Sequence, residues 1–239
     1  MTSGKGGVRN LPECGTERSE MSVPVQDAAT VILVRDAQDA PRILMGQRGK
    51  AAAFMPEKFV FPGGAVDEAD EAVPSPRLDP ACRKRLLAES TATDPDRFAA
   101  AAIRELWEET GQCLGRTGNW PNPPVPWRDF AEQGLLPDAS PLSFFFRALT
   151  PPGHPRRYDA RFFLADAAAL RFDADDFSRA ESELSHIQWV PVDRARELDL
   201  PFVTQLVLTE LQRHLPRTDA PDQVPYLCND EEGSRVIWL

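Results

Sequence analysis

The hydrophobic positions fall into short blocks separated by strong breakers. Ala28 to Val34 is an unbroken run of strand length. After the polar turn Arg35 to Pro41, a second run spans Arg42 to Gln47, and the two together predict a β-hairpin. Phe59 to Phe61 predicts a short strand that stops at Pro62-Gly63-Gly64. Asp79 followed by Pro80 is a helix start, with a capping acid and proline at the first position, and the helix is expected to reach Glu89. Asp94-Pro95 is a second start, for a helix running to Thr110 with Gly111 as its stop. Residues 116–141 hold six prolines and no period, which predicts a long loop with one helical turn near Phe130. Strands are expected at Ser143–Leu149, Tyr158–Ala165 and Ile187–Val190, and helices at Val192–Leu198 and Phe202–His214. Residues 224–228 and 234–239 flank a polar turn and suggest a terminal hairpin. Strands and helices mix without a regular βαβ alternation, so the expected class is α/β in the α+β sense, a mixed sandwich. Residues 1–22 read as a mobile tail, 23–214 as the main domain with an irregular acidic stretch at 71–96, and 215–239 as an extension.

The second helix is the most informative stretch. At 100° per residue, Ala99, Ile103, Leu106, Thr110 and Leu114 cluster on one side, while Glu105, Glu108 and Glu109 share another at i, i+3 and i+4. Three convergent carboxylates repel one another by about 0.2–0.5 kcal/mol per pair in an isolated helix. They also sit towards the C-terminal end, where the helix dipole disfavours anions. A hard divalent cation, Mg²⁺ or Mn²⁺, reverses the sign of that cost; a solvated acidic face is the plain alternative. Upstream, Gly63-Gly64 permits positive φ or close approach of the main chain to a ligand, or else forms an ordinary turn.

Composition narrows the classes. In 239 residues, 37 acidic side chains outnumber 27 Lys and Arg, a formal net charge of −10. Such a balance opposes binding to a nucleic-acid polymer but allows a small phosphorylated substrate at a local site. No apolar run has the length of a membrane span, and Met1 to Asn10 lacks the apolar core of a secretory signal. The four cysteines, Cys14, Cys82, Cys113 and Cys228, are scattered without zinc-ligand spacing. The expectation is a cytoplasmic protein with reduced thiols and no membrane partner. Nothing in the pattern decides for or against a homodimer.

Phe61-Pro62-Gly63-Gly64 followed by Arg104-Glu105-Leu106-Trp107-Glu108-Glu109-Thr110-Gly111 resembles the Nudix box, G-x5-E-x7-R-E-U-x-E-E-x-G-U with U apolar. There are three departures. Asp70 stands in the first acidic slot, Gln112 stands at the final apolar position, and residues 71–103 intervene where the pattern has seven positions. An insertion of this kind resembles the coenzyme A diphosphatase-like branch called Nudix motif 19, as do the flanks Gln47-Arg48, Phe54-Met55-Pro56 and Val60 to Asp70. The similarity covers roughly residues 28–214.

The resemblance implies an αβα sandwich with a mixed sheet, and a metal-dependent hydrolase that cleaves the diphosphate linkage of a nucleoside diphosphate joined to another moiety. It implies that Glu105, Glu108 and Glu109 hold Mg²⁺ or Mn²⁺, with a main-chain carbonyl at Gly63 or Gly64 as a further ligand and Gly64 beside the substrate. Arg104 would orient a glutamate, or simply pair with Glu108. Glu183, in the loop before Trp189, resembles a catalytic loop glutamate of several family members; a surface glutamate is the alternative. Arg156, Arg157 and Arg161 form a cation cluster suited to phosphates, and on a strand Arg157, Asp159 and Arg161 share a face. Arg–Asp pairing on a solvent-facing sheet reads the same residues equally well. Trp120 and Trp127 either stack on a base or fold back on the domain. Coenzyme A or acyl-CoA is the preferred substrate, with ADP-ribose, NADH or dinucleotides as alternatives. Two other classes stay open: a non-catalytic nucleotide-binding module on the same fold, and an acidic interaction protein without a site.

Overall fold

The computed structural model describes residues 23–50, 52, 55–74 and 76–239; the expected N-terminal tail lies outside them. The long strand β1 (Val25–Arg35) is the spine of a nine-stranded mixed sheet. On one edge it pairs in parallel with β8 (Arg157–Asp166) along ten residues, from Val25↔Arg157 to Val34↔Asp166. Its other edge is divided. The C-terminal end pairs with β2 (Arg42–Arg48), and the N-terminal half pairs with the short β4 (Gly63–Ala65) at Ala28↔Ala65, Ala29↔Gly64 and Thr30↔Gly63. The strand β3 (Phe59–Val60) and the strand β9 (Leu184–Pro191) flank β2, and β7 (Ser143–Leu149) lies antiparallel to β8. The C-terminal hairpin of β10 (Pro225–Asp230) and β11 (Gly233–Trp238) continues the sheet, since β10 runs parallel to β7.

Period-two alternation along β1 divides the core. Ala29, Val31 and Leu33 face the helix α2 (Asp96–Thr110) with Phe98, Ile103 and Leu106. Ile32 and Val34 face α4 (Phe202–His214) with Val207, Leu208 and Leu211. A register shift between Phe144 and Phe146 puts Phe144 in the first core and Phe145 and Phe146 in the second. The result is an αβα sandwich with a mixed sheet. The start signals read from the sequence act as expected at α1 (Pro80–Leu87), where Asp79 Oδ1 accepts the N–H groups of Ala81 and Cys82.

Two expectations are corrected. Val192 to Leu198 is not a helix; it keeps only a 3-10 turn at Ala195–Glu197. Between Pro191 and Pro201 the bonds that form are i→i+3, from Arg194, Glu197 and Leu198 to the carbonyls of Pro191, Arg194 and Ala195, so the chain closes as successive tight turns. The proline-rich stretch 116–141 has the expected helical turn near Phe130, α3 (Arg128–Glu132), but the rest is not all loop: it carries the strand pair β5 (Gly115–Thr117) and β6 (Leu135–Pro137). Trp127 in this stretch is fully buried against Phe130 and Trp120, so the pair folds back on the domain. Cys82, Cys113 and Cys228 are buried free thiols; Cys14 lies outside the described residues.

Candidate active site

The site forms where β4 crosses the N-terminal half of β1 and meets α2. The two glycines of β4 do different work, and neither has positive φ. A Cβ on Gly63 would stand 2.5 Å from Thr30 Oγ1 and 2.6 Å from the Ala29 carbonyl, so β1 and β4 pair closely only because it is absent. A Cβ on Gly64 would stand 2.5 Å from the Glu105 carboxylate, so this α2 side chain occupies the space a side chain there would take. Close approach, not backbone handedness, requires both residues. At the far end of α2, Gly111 does adopt the left-handed conformation, with φ 70°, and closes the helix through its N–H to the Trp107 carbonyl.

Arg104 is the hub. Its Nε and Nη2 donate to the two oxygens of Asp70 at 2.9 and 3.0 Å, while Nη1 donates to Glu105 Oε1 at 2.8 Å and Glu108 Oε2 at 2.9 Å. Nη2 also reaches the Ala65 carbonyl at 2.9 Å. Burial opposes the guanidinium charge, but the hydrogen bonds it donates to Asp70 and the charges of Glu105, Asp70 and Glu108 outweigh it and hold the group firmly protonated. Asp70 is itself buried and fixed by a capping box, in which it accepts the Asp67 N–H at 2.9 Å. The long insertion therefore leaves the acidic slot after Asp70 and returns to α2 without displacing it. The inserted chain is docked: Arg147 donates to the Ala88 carbonyl, Arg161 to Ser90 Oγ, and Arg85 to the carbonyls of Pro221 and Asp222.

The three glutamates occupy unlike environments. Glu109 is 1% exposed; its Oε2 accepts the Gly63 N–H at 2.8 Å, and its Oε1 is buried without a partner. Burial, followed by the charges of Glu105 and Glu183, raises its pKa well above the carboxylate range. Burial also raises Glu105 to about 7, helped by Glu108 and Glu183 against the opposing Arg104. Glu108 is raised mainly by burial, with Glu181 and Asp70 adding to it. Among the described residues no three acidic, His or Cys side chains stand as a ready metal cage. Glu105 and Glu108 are turned onto Arg104, and Glu109 onto the Gly63 amide. The all-oxygen donor set and the orphaned Glu109 oxygen nonetheless fit a hard divalent cation, which would satisfy that oxygen and discharge the mutual repulsion.

Glu183 lies at the rim, exposed, with Oε1 accepting Arg48 Nη2 at 2.6 Å. The Gly63 contact that the structure displays is through its N–H, a donor, which cannot ligate a cation. The arginine cluster of β8 is not brought to the glutamates as a group. Arg161 is fully buried, pairing with Asp27 at 2.6 Å and Asp159 at 3.2 Å over the face of Phe98. Asp159 also takes a two-pronged contact from Arg147. Arg–Asp pairing thus describes this face, but in the interior and not at a solvent-facing sheet. Arg157 donates to the Thr150 carbonyl, and Arg156 is exposed before the strand begins.

Sequence reasoning assigned no role to a second cation of the site, the one that acts on Glu109 and Glu183. Arg48 is mostly buried, its Nε has no partner, and its charge acts on Glu109. Only the pairing of β2 with β9, which sets Arg48 opposite Leu184, brings it there. Alternation within β2 carries no trace of that.

The NUDIX domain model matches residues 24–209. A putative nudix hydrolase 7 of Caenorhabditis elegans is 28% identical over 177 residues, covering 69% of this chain and 51% of its own. Human acyl-coenzyme A diphosphatase NUDT19 is 29% identical over 176 residues, covering 52% of this chain and 47% of its own. The chain spans about half the length of the curated relatives it matches. Among solved structures, a NUDIX hydrolase from Alicyclobacillus acidocaldarius superposes with a TM-score of 0.57 at 27% identity, covering 78% of this chain and 90% of its own.

Proposed function

Since the chain belongs to the Nudix family, we propose that it is a divalent-metal-dependent hydrolase of a nucleoside diphosphate joined to another moiety, with coenzyme A or acyl-CoA as preferred substrate. The observation that carries the reading is Glu109, buried with one unpartnered oxygen beside Glu105 and Glu183. A buried carboxylate left unpartnered among other carboxylates, with its pKa raised, is the kind of group that a cation or a reaction uses. The acyl-CoA preference is supported by the NUDT19 relatives and by the insertion inside the box.

Glu105, Glu108 and Glu109 would hold Mg²⁺ or Mn²⁺. When bound, the ion neutralises diphosphate charge and acidifies a water. Arg104 holds Glu105 and Glu108 in place from below, anchored on Asp70. The charge of Arg48, which acts on Glu109, would favour a phosphate at the cluster. Glu183, exposed and steadied by Arg48, accepts the proton as the water oxygen bonds to phosphorus and the bridging P–O bond breaks. Gly64, by having no side chain, lets the Glu105 carboxylate lie against the main chain at the place where substrate would bind. Arg157 and Arg161 are occupied by protein partners, so the exposed Arg156 is the member of that cluster left, among the described residues, for an outer phosphate.

The test is product analysis by mass spectrometry after incubation with Mg²⁺ or Mn²⁺. Coenzyme A should yield 4′-phosphopantetheine and 3′,5′-ADP. Cleavage of ADP-ribose, NADH or a dinucleotide with coenzyme A intact would keep the hydrolase and overturn the substrate. No cleavage of any of them would overturn the hydrolase in favour of a binding module.

A further inference from the structure

Between β8 and β9 the chain runs through residues 170–183 without regular structure, yet it is tied down along its whole length. It crosses the C-terminal end of α2 and delivers Glu181 and Glu183 to the carboxylate cluster. At its start, the Arg171 N–H donates to the Cys113 carbonyl at 3.0 Å. In the middle, Trp189 Nε1 donates to the Ala174 carbonyl at 2.8 Å, and Asp175 pairs with Arg35. Arg179 covers Gly111 so closely that a Cβ there would lie 2.8 Å from its own Cβ. At the end, the Glu181 N–H donates to the Glu108 carbonyl at 2.8 Å, on the helix turn that carries the site.

One side chain ties the centre of this strap to the end of α2. Gln112 is fully buried, and its Nε2 donates to the carbonyls of Asp173 at 3.1 Å and Asp176 at 3.0 Å. Both amide hydrogens are thereby used, while Oε1 is left buried without a partner. Flipping the amide would satisfy neither carbonyl, so the orientation is set by the strap. Gln112 stands where the Nudix pattern has an apolar residue, and an apolar side chain offers no donor for these carbonyls.

We propose that Gln112 is a positioning residue: it docks the 170–183 strap on the end of α2 and so places Glu183 beside Glu105 and Glu109 for hydrolysis. The inference rests on the hydrolase reading and adds to it the device by which an irregular segment holds its carboxylate in register. Gln112 touches neither substrate nor metal; it acts through Glu183.

The test compares wild type with Gln112→Met, Glu183→Gln and the double variant. Methionine keeps the volume and removes both donors, and it also removes the orphaned oxygen, so the fold is retained. Gln112→Met should lower kcat about tenfold to a hundredfold with KM nearly unchanged, the loss expected when a reacting group is misplaced by an ångström or so. The double variant should be no slower than Glu183→Gln alone, because Gln112 then has nothing to position. Amide exchange at Glu181 and Arg171 should accelerate in Gln112→Met while that of the β1 core does not. Additive losses in the double variant, or an unchanged kcat, would overturn the positioning role. Unchanged exchange at Glu181 and Arg171 would overturn the docking whatever the activity. A wild type inert on every diphosphate would instead overturn the hydrolase reading, and accelerated exchange would still support the docking.

Discussion

Asp70→Asn isolates the role of the arginine hub. The exchange keeps volume and shape but removes the charge that faces Arg104 across two bonds of 2.9 and 3.0 Å, between side chains 0% and 7% exposed. Each charge-assisted bond contributes about 1.5–3 kcal/mol, and breaking a buried pair by removing one partner costs about 3–5 kcal/mol. Asparagine can keep one acceptor for Arg104 or for the Asp67 N–H, so about 3 kcal/mol is the expected loss. In urea this lowers the unfolding midpoint by about 1–1.5 M at an m-value of about 2–3 kcal/mol/M. Turnover should fall as well, since Arg104 freed from Asp70 no longer holds Glu105 and Glu108 in fixed positions. The assay is urea unfolding followed by tryptophan fluorescence, with the m-value checked for constancy. A loss below about 1 kcal/mol at constant m would refute the claim that Asp70 anchors the hub.

Other outcomes follow from the same geometry. Gly63→Ala forces a Cβ into the backbone of β1 and should destabilise the fold, whereas Gly64→Ala meets the Glu105 carboxylate and should depress turnover with a smaller change in melting temperature; equal effects on both would contradict the division of roles. Arg161→Ala should lower stability, since it strips Asp27 and Asp159 of a buried partner; a rise in KM with stability intact would return Arg161 to the substrate. In metal-free protein, Glu105 binds its proton more tightly folded, at about 7, than at the ordinary 4.5. Its contribution to stability is complete below about pH 4.5 and is lost as pH rises through about 7, a fall of about 3 kcal/mol to be read by denaturation across that window. Millimolar Mn²⁺ at pH 8 should restore stability, and no metal response there would count against the cluster as a cation site.

What could be read in advance depended on whether a signal was local. The helix α2 announces itself because apolar period, start and stop lie within one stretch, and Gly111 takes the left-handed conformation its position demands. The hairpin of β5 and β6 does not, because two strands of three residues leave no alternation to detect among prolines. Arg157, Asp159 and Arg161 do share a strand face, but their partners Asp27 and Arg147 come from β1 and β7, so burial could not be read from β8 alone. The placement of Asp70 beside Arg104 could not be read across the insertion, because the docking of that segment by Arg85, Arg147 and Arg161 is entirely tertiary. Arg48 stood out only as part of a flank and Gln112 only as a polar residue at an apolar position, since each gains its role from contacts with the 170–183 strap and its end at Glu183.

The central claim is that the α2 carboxylates form a cation site built around the unpartnered oxygen of Glu109. Titration of Mn²⁺ into wild type and Glu109→Gln, read by calorimetry and by electron paramagnetic resonance, addresses it without reference to any substrate. Saturable binding by wild type, with affinity lost in a folded Glu109→Gln protein, is the result the account predicts. Equal binding by both proteins, or none by wild type, would contradict it.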